Sequence, residues 1–252
     1  MNPLLFSTAL PGRYLRLFVL CMFFLLTLST RVQAENAPHA TITSQAMAAL
    51  HSARQDLTGR QALSQISKNT AYEKTLSDTE GNQTLMRFDP SQPEDKHWRV
   101  VSVTGNSLAS VSLPSPFVLT PAIVDAFALT FFKEESDYWV FKGDMDIYAS
   151  EAAGARDSEA ENSNQNVDEY LVAFVRVDKQ THRFSRVSFT NLEAFHPTTL
   201  ATIERFAIDA WYEPLVNDGP LIATNTELTV SGRYGFMFSF EEGIRQRIEH
   251  IN

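Results

Sequence analysis

From Thr70 to the C-terminus, apolar side chains recur mainly at every second position, in runs broken by turn residues. A period of two marks strands with one buried face, and many short strands separated by turn signals build an antiparallel sheet rather than a helix bundle. Tyr72 and Leu76 alternate with Glu73, Thr75 and Ser77; Glu80-Gly81-Asn82 turns the chain, and Thr84 to Phe88 returns as the second arm of a hairpin. Asp89-Pro90-Ser91-Gln92-Pro93 then forces a loop, because proline cannot donate to a ladder. His97 to Val103 is the next strand, stopped by Gly105-Asn106. Tyr138 to Tyr148 follows, then Glu169 to Val177, which is apolar at both parities as a strand covered on both faces should be. Asp178-Lys179-Gln180-Thr181 turns that strand into His182 to Leu192. Thr199 to Tyr212, Leu221 to Ser231 and Tyr234 to Phe240 complete the series, with Pro214 and Asn217-Asp218-Gly219-Pro220 between the first two. The tail Ile244, Ile248, Ile251 fits a helix as well as a short strand, and its spacing leaves both open.

Two segments keep a helical spacing instead. Ile42, Ala46, Met47, Leu50, Ala53 and Leu57 recur at steps of three and four, with Thr43 or Ser44 to cap the start and Gly59 to end the helix. A second short helical stretch at 61–67 can follow. Thr120-Pro121 opens Ala122 to Phe132, whose apolar face is Ile123, Val124, Phe127, Ala128 and Phe131. The expected fold is therefore α+β and mostly β. It is a curved antiparallel sheet, an incomplete β-barrel of about eight to ten strands, with an N-terminal helix and an inserted helix covering its open side. Residues 149–168 carry five acids and Val167 as their one large apolar residue, so they read as a flexible acidic surface loop.

The N-terminus reads as an export signal. Arg13 and Arg16 precede the twelve-residue apolar run Leu17 to Leu28, and Val32-Gln33-Ala34 supplies small residues for cleavage before Glu35. The apolar run is shorter than the roughly 20 residues that span a bilayer, so a signal fits better than an anchor. Cys21 lies inside the run behind Leu20, which does not suit a lipoprotein signal. Removing 1–34 leaves 35–252 as one domain in the periplasm, with no transmembrane span. It also takes away the one cysteine, and with it disulfides and thiolate chemistry. The remaining chain holds 18 basic against 30 acidic residues, a net charge of −12 with neutral histidines, which argues against nucleic acid or anionic membrane surfaces.

Motifs for catalysis are missing from the sequence. There is no Gly-x-Ser-x-Gly elbow, phosphate loop or dinucleotide glycine pattern, and His39, His51, His97, His182, His196 and His250 are scattered. Asp144-Met145-Asp146 puts two carboxylates on one strand face, but without the glycine and further acids of a dedicated metal loop; they read as solvated, and no metal or cofactor is expected. The conspicuous residues are aromatic. Tyr234, Phe236, Phe238 and Phe240 alternate as one face of a strand, and Trp98, Trp139, Phe174, Phe206 and Trp211 sit in other strands. Such side chains fill cores, and they also line apolar grooves. The candidate lining of a groove between sheet and helices is Trp98, Trp139, Phe174, Phe206, Trp211, Phe236 and Phe238.

This order of export signal, opening helix and antiparallel meander with an inserted helix resembles the bacterial lipoprotein-carrier superfamily. That superfamily includes the periplasmic lipoprotein carrier and the outer-membrane lipoprotein receptor. The stretch from Arg87 to Gly105, with Asp89-Pro90 at a strand end, Trp98 in the next strand and a glycine turn, is also similar to one in exported bacterial proteins of comparable length. The resemblance implies an incomplete β-barrel plugged by helices, holding a lipid or lipoprotein acyl chain. It carries over no individual functional residue. The function expected on this basis is non-enzymatic binding of an apolar ligand. The alternatives are an envelope structural or interaction protein with a packed interior and an envelope protein partner, and, third, a hydrolase.

Overall fold

A computed structural model describes residues 41–60, 70–111, 113, 118–144, 170–235 and 238–251. The expected export signal, the stretch 61–67, the acidic loop 149–168, Phe236 and the Met145-Asp146 part of the paired carboxylates lie outside these residues. By its contacts the chain divides into Met1–Ala46 and Met47–Asn252, the second holding every strand.

Helix α1 covers 41–60. Thr43 and Ser44 lie inside it rather than at its cap, and the Ser44 hydroxyl donates to the Thr41 carbonyl at 2.8 Å. Leu50, Ala53 and Leu57 are buried on one stripe, as the spacing requires, whereas Met47 is exposed. Gly59 does not end the helix, which continues to Arg60.

Among the described residues eleven strands follow, one more than the upper count read from the sequence: β1 (Tyr72–Asp78), β2 (Gln83–Phe88), β3 (Trp98–Thr104), β4 (Thr130–Glu134), β5 (Tyr138–Asp144), β6 (Leu171–Asp178), β7 (Phe184–Asn191), β8 (Phe195–Thr198), β9 (Ala201–Pro214), β10 (Leu221–Tyr234) and β11 (Phe238–His250). They form one antiparallel sheet in the order β3-β2-β1-β11-β10-β9-β7-β6-β5-β4, with β8 attached to β9. Strands β3 and β4 are its two edges, so the sheet is not closed.

Three segments differ from expectation. Helix α2 is only Pro121–Ala126. Thr120 caps it, its Oγ1 accepting from the Ile123 amide at 3.3 Å, but Ala128 has φ 46° and breaks the turn. The rest of the expected helix is β4, where Phe131 pairs with Phe141; Thr130, Phe131 and Phe132 are good strand formers once a neighbouring ladder is available. Strand β8 contains Pro197, which argues against a strand in sequence and is tolerated here on a segment that pairs on one side only. Tyr234 ends β10 and pairs with Phe238 at the start of β11, with Gly235 at φ 61°, so Tyr234 does not share a strand with Phe238 and Phe240. Beyond it the isoleucine tail is strand: β11 runs through Ile244 and Ile248, paired with β10 on one side and β1 on the other.

The register sorts the side chains into two faces. One transverse row runs Phe141, Val175, Val187, Ala210, Thr226, Gln246, Leu76, Thr84, each directly opposite the next. All of these except Gln246 have no accessible surface, so this face is the core. The neighbouring row, Arg176, Arg186, Trp211, Asn225, Arg247 and Thr75, belongs to the opposite face. That face is held by ion pairs: Arg176 with Glu135 at 3.1 Å, Arg186 with Asp209 at 2.7 Å and Arg245 with Glu227 at 2.8 Å. An antiparallel sheet with one buried and one charged face has the alternation the sequence shows.

Candidate functional site

Strand β1 presents Tyr72, Lys74 and Leu76 to the core side of the sheet, because alternate residues share a face. Tyr72 and Leu76 each anchor a separate cluster. Tyr72 packs with Ile222 and Ile248, joined by Phe88, Val118 and Leu215. Leu76 packs with Met86 and Leu108, joined by Ala109 and Val111. The segment between β3 and α2 contributes to both clusters. It is tied down at Leu108, whose amide donates to Thr84 Oγ1 at 2.8 Å, and at Leu119, whose amide donates to the Leu221 carbonyl at 2.9 Å.

Lys74 sits between these clusters. Its direct partners are Ile248 on β11 and Met86 on β2, and Met86 in turn faces Val100 on β3. Its ammonium lies 4.7 Å from the centre of the Trp98 ring, a cation–π contact. Trp98 closes an aromatic group, 5.2 Å from Phe88 and edge-on to Tyr72 at 5.5 Å. Burial holds the Lys74 amine below its ordinary pKa and pushes the Tyr72 hydroxyl up to about 12.

The same face opens at the sheet edge. On β3, Trp98, Val100 and Val103 are 39%, 48% and 44% exposed, although the register partners Met86 and Thr84 of the two valines are buried. Val101 is the extra residue of a bulge and is exposed as well.

Of the seven aromatic residues expected to line a groove, the six that are described lie on different faces and strands of the sheet, and Phe236 lies outside the described residues. Trp98 is at this open end. Trp139 is buried in β5 against Phe131, with the Lys179 ammonium 4.7 Å from its ring centre. Phe174 and Trp211 are on the charged face, Phe174 against Phe132 at 5.2 Å and Trp211 under the Arg186 guanidinium at 4.4 Å. Phe206 is half-buried opposite Val230. Phe238 is 69% exposed beside the β10–β11 turn.

Two clefts open beside β10 and β11, of about 570 and 250 Å³, with Glu227 and Arg245 in the wall of both. Their charges largely neutralise one another, through Arg245 with Glu227 and Arg247 with Glu249, each at 2.8 Å. Among the described residues no cluster of three His, Cys, Asp or Glu side chains is placed to hold a metal. His51 and His196 are exposed and hydrogen-bond Gln55 and Thr202, each at 3.0 Å. No described helix is long and apolar enough to cross a membrane.

Lys74 escapes a sequence reading that counts only the apolar residues of the Tyr72–Leu76 alternation. The signal is the position itself: a lysine at the parity of two core residues. No protein-family model matches the chain, and no curated protein is significantly similar to it in sequence.

Proposed function

We propose that this chain is a non-enzymatic exported protein that binds an apolar ligand, such as a lipid or lipoprotein acyl chain, on the core-side face of its open sheet. In this reading the sheet is an incomplete barrel of the lipoprotein-carrier kind, α1 and α2 cover its open side, and the mature chain begins at Glu35 in the periplasm. The observation that carries the proposal is the open end of that face. Trp98, Val100 and Val103 remain exposed on the side where Leu76 and Met86 are buried, so apolar surface continues from the core to solvent. Contiguous exposed apolar surface of this kind marks a binding site more often than an accident of packing.

The test is titration with a fluorescent fatty acid. The protein is expected to bind it saturably, and Val100→Asp, at an exposed position, should weaken binding tenfold or more while leaving the melting temperature within a few degrees. Absence of binding by the unaltered protein would overturn the proposal. It would favour the second reading, an envelope interaction protein with a filled interior, which the row of fully buried side chains from Phe141 to Ala210 supports.

A further inference from the structure

Lys74 is the feature that a simple apolar surface does not require. It stands at a core parity between Tyr72 and Leu76, with Ile248 and Met86 as its neighbours across the ladders. Lys74 is half-buried, and a lysine partly withdrawn from water gains from a carboxylate partner. Among the described residues none pairs with it, and its ammonium rests on the face of Trp98 instead. The segment that contributes to the clusters on either side cannot supply a partner, since Gly105 to Thr120 contains no charged residue. The acids of the adjoining strands are turned away, engaged or distant, Glu241 and Glu242 standing six or more positions along β11 from Ile248. Glu73 and Glu249 are at the opposite parity, with Glu73 paired to Arg87, and Asp78 accepts from the Asn82 amide and side chain.

Resting on the reading above, we infer that the ligand is a single-chain alkyl carboxylate, whose head group pairs with the Lys74 ammonium and whose tail lies along Met86, Val100 and Val103. The charge is complementary: one cation at the inner end of an apolar surface, with no matching anion among the described residues. The dimensions agree. Because of the bulge at Val101, Trp98 and Val103 stand opposite Phe88 and Thr84, four ladder steps or about 14 Å apart, room for one extended medium-length chain. A half-buried ammonium pairs more strongly with a carboxylate than a fully solvated one does, because the effective dielectric around it is lower.

The experiment compares dodecanoate with dodecyltrimethylammonium, below their micelle concentrations, by calorimetric titration of the full mature chain. The unaltered protein should bind dodecanoate at least tenfold more tightly than the cation. Lys74→Met keeps the stem length and removes the charge. It should weaken dodecanoate tenfold or more and leave the cation unchanged or tighter. Lys74→Arg should retain the anion preference, and thermal unfolding of both variants verifies that they are folded. If the unaltered protein binds both amphiphiles equally and Lys74→Met changes neither, the assignment of Lys74 is wrong while the apolar site stands. If it binds neither, the site itself is wrong and the inference falls with it.

Discussion

Gly143 of β5 lies directly against Phe127 at the end of α2: a Cβ at Gly143 would stand 2.5 Å from the Phe127 carbonyl oxygen and 2.7 Å from its Cβ. Phe127 is fully buried and packs on Phe189 at 5.8 Å, so it has little room to retreat. A glycine is needed here for the approach of two backbones. Gly143→Ala should therefore lower stability in urea unfolding by about 2 kcal/mol, the usual cost of overpacking a core. Gly59 in α1 is the contrast: a Cβ there would meet nothing within 4 Å, and Gly59→Ala should stabilise by up to about 1 kcal/mol through helix propensity. Opposite signs are expected; a harmless Gly143→Ala would show that α2 is not seated on β5.

Acid should destabilise the fold through carboxylates held in their charged form. The Arg176 side chain hydrogen-bonds Glu135 and, with Lys133 at 2.9 Å, keeps its carboxyl below the ordinary value of 4.5. The Asn82 side chain does the same for Asp78, helped by backbone amides of the turn. Unfolded, these groups take up protons at higher pH than they do folded. Their contribution is fully present above the ordinary carboxylate range and is lost as pH falls through their lower folded values. The melting temperature should drop progressively as pH falls below 4.5, the ordinary value for Glu135. Glu135→Gln should flatten part of that decline. Parallel pH profiles for the two proteins would remove Glu135 from the account.

Much of the sheet is legible in the alternation, and the departures from it have local causes. Tyr72 and Leu76, the turn at Gly81 and the Thr120-Pro121 helix start are readable because each is decided within a few residues. The end of α2 is not. Ile123, Val124, Phe127, Ala128 and Phe131 keep helical spacing right through the break, and only the pairing of Phe131 with Phe141 makes the last part a strand. Tyr234 to Phe240 alternates whether it is one strand or two arms of a hairpin; Gly235 at φ 61° decides. Ile244 and Ile248 are four apart, a spacing common to both periods, and the ladders to β1 and β10 settle it. For the site, residue type misleads where parity helps. Phe174 neighbours the buried Val175 and so points away from the core, whereas Lys74 shares the parity of Tyr72 and Leu76.

Thr226 lies in the middle of the buried row with no accessible surface, and among the described residues its Oγ1 has no hydrogen-bond partner. Its ladder neighbours Ala210 and Gln246 leave it facing an apolar interior on the β9 side. A buried hydroxyl without a partner costs about 1–3 kcal/mol relative to an apolar group of the same shape. Thr226→Val, nearly the same volume and equally suited to a strand, should raise stability by about 1 kcal/mol in the same urea assay. A loss of stability would mean that the hydroxyl is bonded in solution, with water as the obvious donor or acceptor.

Arg60 joins α1 to the turn between β9 and β10. Its Nε contacts Asp56 Oδ2 at 2.7 Å, and its Nη1 donates to the Gly219 carbonyl at 2.8 Å. The side chain is 6% exposed, so both contacts are shielded from water, and the turn it reaches is tight, with the Gly219 amide donating to the Val216 carbonyl at 2.9 Å and Asp218 at φ 59°. Asp56 has a second cation, Arg183 at 3.5 Å, which is more exposed and less well placed. Arg60→Met would keep the apolar stem but leave the Gly219 carbonyl unpaired and Asp56 with Arg183 alone. The expected loss is about 2–3 kcal/mol, that of removing one partner from a shielded charged contact rather than that of a surface ion pair. Arg60→Lys separates the two contributions. A single ammonium can hold Asp56 one helical turn away, but it lacks the planar fork that reaches Asp56 and Gly219 together. Lysine should therefore recover only part of the loss. Hydrogen exchange at the Gly219 amide should quicken in both variants, because the turn loses its clamp. If lysine restores full stability and slow exchange, the Gly219 contact contributes nothing and the Asp56 pair accounts for the whole effect.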